Sequence, residues 1–211
     1  RRPKGRRVAL ISNGSGPPQL AMDLIGPDAA VLRAELAPAT QRALVAMLEP
    51  DAATANPVIT FTPLTPERIR AMLDAVLDDP GVDGVLVLLA PDALADMPAV
   101  ARELAQIAPK AKKPVVTCFM GDAGMRPLRR MLDDAGTSAF RTPESAADAF
   151  GGLATHHYNQ QLLLQTQPPE PAGHVPDLAA AREILARVRA ECRRELNTSE
   201  IRSLLALFYV P

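Results

Sequence analysis

Apolar residues fall in short runs separated by polar, glycine- and proline-bearing stretches, and this alternation repeats along most of the chain. Val8–Ile11 reads as a buried strand, followed by a polar turn over Ser12–Gly16. Pro17 and Pro18 then open an apolar helix carrying Leu20, Ala21, Leu24 and Ile25, since a first helical turn does not need the missing N–H. Residues 30–36 fit a second short strand or a loop. Residues 38–48 have helical spacing, with Leu44, Met47 and Leu48 on one side. Asn56-Pro57 breaks that pattern and begins a loop. Thr65, Pro66 and Glu67 supply an N-cap, a helix-starting proline and an acid in the first turn. The helix they start has Ile69, Met72, Leu73, Val76 and Leu77 on one face and ends at Asp79-Pro80-Gly81.

The next run, Gly84–Leu89, is continuously aliphatic, as a central parallel strand covered on both faces must be. A helix over about residues 94–107 follows, then a strand at Pro114–Phe119, a glycine turn at Gly121–Gly124 and a helix at Pro127–Asp134. Ala139-Phe140 forms a last short strand, and a closing helix runs from Pro143 to about Leu163. Strands alternating with helices at this spacing predict an α/β fold, a flavodoxin-like doubly wound, mostly parallel sheet of about five strands. Ligands of such sheets bind at the carboxyl ends of the strands, where the strand order reverses. Residues 1–165 make up this domain. Residues 166–176 are a proline-rich linker by composition. Residues 177–211 form a two-helix C-terminal extension, with Asp177 capping a helix to about Arg194 and a second helix starting at Thr198.

Charge and composition narrow the function. The 23 Lys and Arg nearly balance the 24 Asp and Glu, so no net field recruits nucleic acid or an anionic membrane. The basic cluster at Arg1, Arg2, Lys4, Arg6 and Arg7 reads as a solvated lead-in to the first strand. No apolar run is long enough to span a bilayer. Cys118 and Cys192, far apart in sequence, fit a reducing cytoplasm better than a disulfide framework. Aromatic residues make up only 3%, too few for base-stacking platforms. The start without Met and the hydrophobic finish suggest a piece of a longer polypeptide.

The turn Asn13–Gly16 is the main candidate for chemistry. Backbone N–H groups left free between strand and helix favour an anion such as phosphate or carboxylate. A tight turn that needs glycine for positive φ, with no ligand, accounts for the same residues. Neighbouring His156 and His157 point in different directions on a helix, and no His, Cys or acid cluster has metal-ligand spacing. No catalytic residue is assigned. Cys118 reads as a small core residue, and Asp78, Asp79 and Asp83 as capping and solubilising acids.

Asn13-Gly-Ser-Gly-Pro-Pro-Gln-Leu-Ala-Met-Asp23 resembles the Asn-Gly-small-Gly…Asp segment of the succinyl-CoA synthetase and NDP-forming acyl-CoA synthetase superfamily. Asn56-Pro57-Val58, residues 79–87, Lys113–Val116 and residues 140–144 are similar to that superfamily's later motifs, in order and spacing. The resemblance implies a domain equivalent to the carboxy-terminal domain of the succinyl-CoA synthetase β subunit. Residues 181–205 look like the first helices of an ATP-grasp module, here truncated. The family passes a phosphoryl group from a nucleotide to a histidine, then to an acyl group, and finally forms the CoA thioester. By resemblance, Asn13 with Gly14, Ser15 and Gly16 faces the carboxylate substrate, and the loop Ala90–Ala93, with Pro91 and Asp92, leads into the helix that points at the phosphohistidine. CoA and ATP or ADP belong to the parent chain, with no cofactor held by these residues alone. The implied partners are the CoA-binding, histidine-bearing and ATP-grasp domains of that chain, with homo-oligomerisation left open.

The departures also carry meaning. Ser15 and Pro18 stand where acyl-CoA synthetases mostly have glycine. Ile59 replaces the aspartate after Asn-Pro-Val, and residues 90–93 lack paired glycines. An aspartate at position 92 repels a phosphoryl group unless it caps the helix. Such a degenerate domain also fits fusions in which an acyl-CoA-synthetase-like region regulates a GNAT-type protein acetyltransferase. An enzyme part and a regulatory or CoA-sensing module therefore both remain open. A response-regulator-like reading is disfavoured, because no acidic pair follows the first strand.

Overall fold

The computed structural model describes residues 2–165 and 175–210, so nearly all of the expected linker lies outside the described residues. The chain divides into two compact units, Arg1–Leu164 and Gln165–Pro211. The first unit contains, in order, β1 (Arg7–Ser12), α1 (Gly16–Met22), β2 (Leu32–Arg33), α2 (Pro38–Met47), β3 (Val58–Ile59) and α3 (Pro66–Leu77). It continues with β4 (Gly84–Leu89), α4 (Met97–Ile107), β5 (Val115–Phe119), α5 (Arg126–Asp134), β6 (Ala139–Phe140) and α6 (Pro143–Leu164). The second unit holds α7 (Leu178–Ala190) and α8 (Thr198–Leu207).

The sheet has six strands in the order β2-β1-β4-β5-β6, with β3 also on β1, and every strand pair is parallel. Set β3 aside and this is the flavodoxin-like order, reversing between β1 and β4. Alternate residues of each strand serve opposite layers. Ala9, Ile11, Val85, Val87, Leu89, Val115 and Phe119 pack with α2–α5, while Val8, Leu10, Leu86, Leu88, Val116 and Cys118 pack with α1 and α6. β4 is completely buried, which explains its unbroken aliphatic run.

The sixth strand is the departure from the expected five. β1 pairs β2 at Arg7 and Val8, then pairs β3 at Ile11 and Ser12. Asn56 fills the gap between them. Its Oδ1 accepts from the Leu10 N–H at 2.9 Å, and its Nδ2 donates to the carbonyls of Val8 and Ala34, each at 2.9 Å. The residue expected to begin a loop is therefore buried and continues the ladder with its side chain.

Other boundaries differ for local reasons. α1 ends at Met22, and Leu20 and Leu24 of its expected apolar face are exposed. Pro17, Pro18 and Ala21 make the buried face instead. α4 begins at Met97 because the Asp96 carboxylate caps the Ala99 N–H at 2.9 Å, leaving Leu94 in solvent. Thr65 caps α3 as its sequence predicts, accepting from the Arg68 N–H at 3.2 Å. α7 stops at Ala190 rather than Arg194, and Cys192 just beyond it has a φ of 54°. A reciprocal capping box between Asn197 and Glu200 opens α8.

Candidate functional site

Because all strands run parallel, the loops after β1, β4 and β5 leave the sheet at one edge. Asn13 ties the first two together across the point where strand order reverses. Its Nδ2 donates to the Ala90 carbonyl at 2.9 Å, and its Oδ1 accepts from the Ala90 N–H at 2.8 Å. The third loop closes against the second, since a Cβ placed on Gly121 would lie 3.2 Å from Pro91 Cγ. Gly121 itself takes a φ of +95°, a conformation that favours glycine. Arg129 of α5 reaches back to this loop and donates to the carbonyls of Phe119 at 2.6 Å and Gly121 at 2.9 Å.

Gly14 and Gly16 are glycines of a different kind. Neither has a positive φ, and a Cβ on either would meet nothing within 4 Å. The fold does not demand glycine at either position, which removes the tight-turn explanation for them. What their small size leaves is bare backbone. The N–H groups of Gly14, Ser15 and Gly16 donate to no other group among the described residues. The Ser12 hydroxyl holds the turn by donating to the Gly14 carbonyl at 2.8 Å, and the Ser15 side chain makes no capping bond. Pro17 and Pro18 are buried and bring no donors, and α1 is only seven residues long, so the local N–H groups outweigh any macrodipole.

Asp92 does not cap α4. Its Oδ1 accepts from the Leu94 N–H at 2.8 Å and closes a small turn, while the capping carboxylate is that of Asp96. Two aspartates thus stand between Ala90 and the first turn of α4.

A second cluster on this edge lay beyond sequence reasoning. The Glu49 carboxylate, whose side chain is 11% exposed, sits at the end of β3. Its Oε1 accepts from the Thr60 hydroxyl at 2.6 Å and from the N–H groups of Phe61 at 2.6 Å and Thr62 at 3.2 Å. Arg68 lies 3.9 Å from the other oxygen and also donates to the Thr62 hydroxyl. Burial pushes the Glu49 pKa up, but the Thr60 hydroxyl and the backbone donors outweigh it and hold the carboxyl at about 2. Only β3 creates this cradle, and a two-residue strand leaves no periodic signal.

Cys118 is buried in the α1–α6 layer. Burial, with a smaller push from Glu144, raises its thiol to about 12, so it is protonated and not a nucleophile. Among the described residues, no group of three or more His, Cys, Asp or Glu could hold a metal ion, and no helix is long and apolar enough to cross a membrane.

No family model matches the chain. The chain is 29% identical over 163 residues to the α subunit of acetate–CoA ligase [ADP-forming] II of Pyrococcus furiosus, covering 74% of the chain and 35% of that subunit. A crystallised protein of Pyrococcus horikoshii matches 75% of the chain with 26% identity and a TM-score of 0.66. The apo acetyl-coenzyme A synthetase 1 of Candidatus Korarchaeum cryptofilum matches 80% of it with 21% identity and a TM-score of 0.71, a likeness of fold. That enzyme has also been solved with phosphate and ADP, and that structure matches with a TM-score of 0.70. The chain spans 37% of each of the matched solved chains, about a third of the length of its relatives. The sequence match is thus to an ADP-forming acetate–CoA ligase subunit, and the solved structures share the fold.

Proposed function

We propose that this chain is one domain of an NDP-forming acyl-CoA synthetase, and that its carboxyl edge contributes to the phosphohistidine and acyl-phosphate site. One observation carries the reading. At the reversal of strand order, Asn13 fixes the β1 and β4 loops together and leaves the N–H groups of Gly14, Ser15 and Gly16 bare beside Ala90–Asp92. Those donors, with the Ser15 hydroxyl, suit the oxygens of a carboxylate or acyl phosphate. The residues bind and orient; the phosphoryl-carrying histidine, CoA and the nucleotide belong to other domains of the parent chain. On this reading residues 1–165 are the succinyl-CoA-ligase-type domain, 166–176 the linker, and 177–211 the start of an ATP-grasp-like module.

A second reading has its own observation. Asp96 closes the first turn of α4, and Asp92 adds a carboxylate before it, so this helix start offers little to a phosphoryl group. That favours a degenerate, regulatory or CoA-sensing region of a GNAT-type protein acetyltransferase. The deciding experiment uses the parent chain with ATP, acetate and CoA. Acyl-CoA formation with nucleotide turnover, reduced at least about tenfold by Asn13→Ala, supports the first reading. Lysine acetylation without nucleotide turnover supports the second and overturns the first.

A further inference from the structure

We propose that the cleft between Lys4–Arg6 and α6 is a binding site for an organic phosphate with a planar group, a nucleoside monophosphate being the simplest example. The cleft has a volume of about 580 Å³ and lies within the first unit, well away from the Asn13 turn in the sheet. Its size is within the ~300–1,000 Å³ range of small-ligand sites.

Charge singles this cleft out. Lys4, Arg6 and His157 line it, and no Asp or Glu does, whereas the adjoining cleft across Ala30 and Thr155 carries Asp23 and Asp148. The segment that carries Lys4 and Arg6 is tied to the domain. Arg7 beside them binds the Asp83 carboxylate through its backbone N–H at 3.0 Å and its Nε at 2.9 Å, which anchors the segment and neutralises the nearest acid. Arg6 donates to the Ala29 carbonyl at 2.9 Å through one nitrogen, leaving the rest of its guanidinium fork for a second acceptor. Lys4 has neither a hydrogen bond nor an ion pair among the described residues. The Nδ1 of His157 is shielded from solvent and makes no hydrogen bond among the described residues. Tyr158, 63% exposed on the same wall, supplies an aromatic face for a planar group.

The test is amide NMR on the whole chain, titrated separately with AMP, adenosine and inorganic phosphate. AMP is expected to shift Gly5, Arg6, Thr155 and Tyr158 saturably, at least about tenfold more tightly than either of the other two probes. Lys4→Gln, which breaks no bond in the structure, weakens AMP at least about threefold, and Lys4→Gln with Arg6→Gln at least about tenfold. No saturable shift at about 10 mM AMP, equal binding of adenosine and AMP, or shifts confined to Gly14–Gly16 would each overturn the proposal.

Discussion

Replacing Asn56 with alanine is the sharpest test of how this sheet is assembled. The side chain makes three bonds to backbone, but they are not equivalent. The Val8 carbonyl also accepts from the Ala34 N–H at 2.9 Å, so it keeps a partner when the amide is removed. The Leu10 N–H and the Ala34 carbonyl do not. Two buried backbone groups are therefore orphaned, at about 1–3 kcal/mol each, for a total of about 2–6 kcal/mol. Against a typical stability of about 5–15 kcal/mol this is a large loss. For a domain of this size it lowers Tm by roughly 4–24 °C. Urea unfolding followed by circular dichroism measures it, with the midpoint falling and the slope unchanged. Asn56→Asp keeps the acceptor for Leu10 but removes both donated bonds and buries a charge, so it is expected to cost at least as much. A loss below about 1 kcal/mol for Asn56→Ala would refute the claim that this amide bridges β2 and β3 along β1.

Three further outcomes follow from the geometry. In the native chain a thiol reagent labels exposed Cys192 and leaves Cys118 untouched until unfolding, and equal rates would contradict the burial of Cys118. The isolated chain shows no CoA-dependent nucleotide turnover in a coupled assay, because the resemblance places the family histidine and the complete ATP-grasp outside it. Glu49 makes stability depend on acid: its pKa falls from 4.5 to about 2 on folding, so its contribution is complete above 4.5 and is lost as pH drops through 2. The full shift corresponds to about 3 kcal/mol and solvent screening reduces it, so Glu49→Gln should flatten the stability profile of the wild type between these pH values, and an unchanged profile would count against the cradle.

What the sequence disclosed depended on how far each signal reached. β4 and β5 are continuous aliphatic runs, and α3 carries its own cap, so local pattern alone places them. β3 is two residues long and is held by a side chain 46 residues from Leu10 in sequence, which no periodicity encodes. The apolar stripe of α1 misled for a related reason. Leucines at helical spacing argue for burial, but Pro17, Pro18 and Ala21 occupy the buried face and Leu20 and Leu24 face solvent. In the candidate site, the turn and the loop after β4 were legible as glycine punctuation and resemblance. The Asn13–Ala90 clasp spans 77 residues, and the role of Asp96 depends on where α4 starts, so both needed coordinates.

Two asparagines on opposite sides of β1 show how little of this edge remains for a ligand. Asn56 spends its amide on the β2–β3 side, and Asn13 spends both its oxygen and its nitrogen on Ala90 on the β4 side. Glu49 then occupies the donors at the end of β3 with the protein's own carboxylate. Among the described residues, the free donors beside β1 reduce to three N–H groups and one serine hydroxyl, at the start of a seven-residue helix that has prolines at its second and third positions. With no cation bound into that set, the affinity for a small anion is set by a few exposed dipoles, each worth about 0.3–1 kcal/mol. That is too little to hold a carboxylate or phosphate at micromolar concentration, which takes about 8 kcal/mol. The edge can orient an anion that other groups deliver, and it cannot capture one by itself. Its chemistry is therefore that of one wall of a composite site, and saturable binding of acetate or phosphate to the isolated chain at micromolar concentration, read at the Gly14, Ser15 and Gly16 amides, would show this accounting of donors to be wrong.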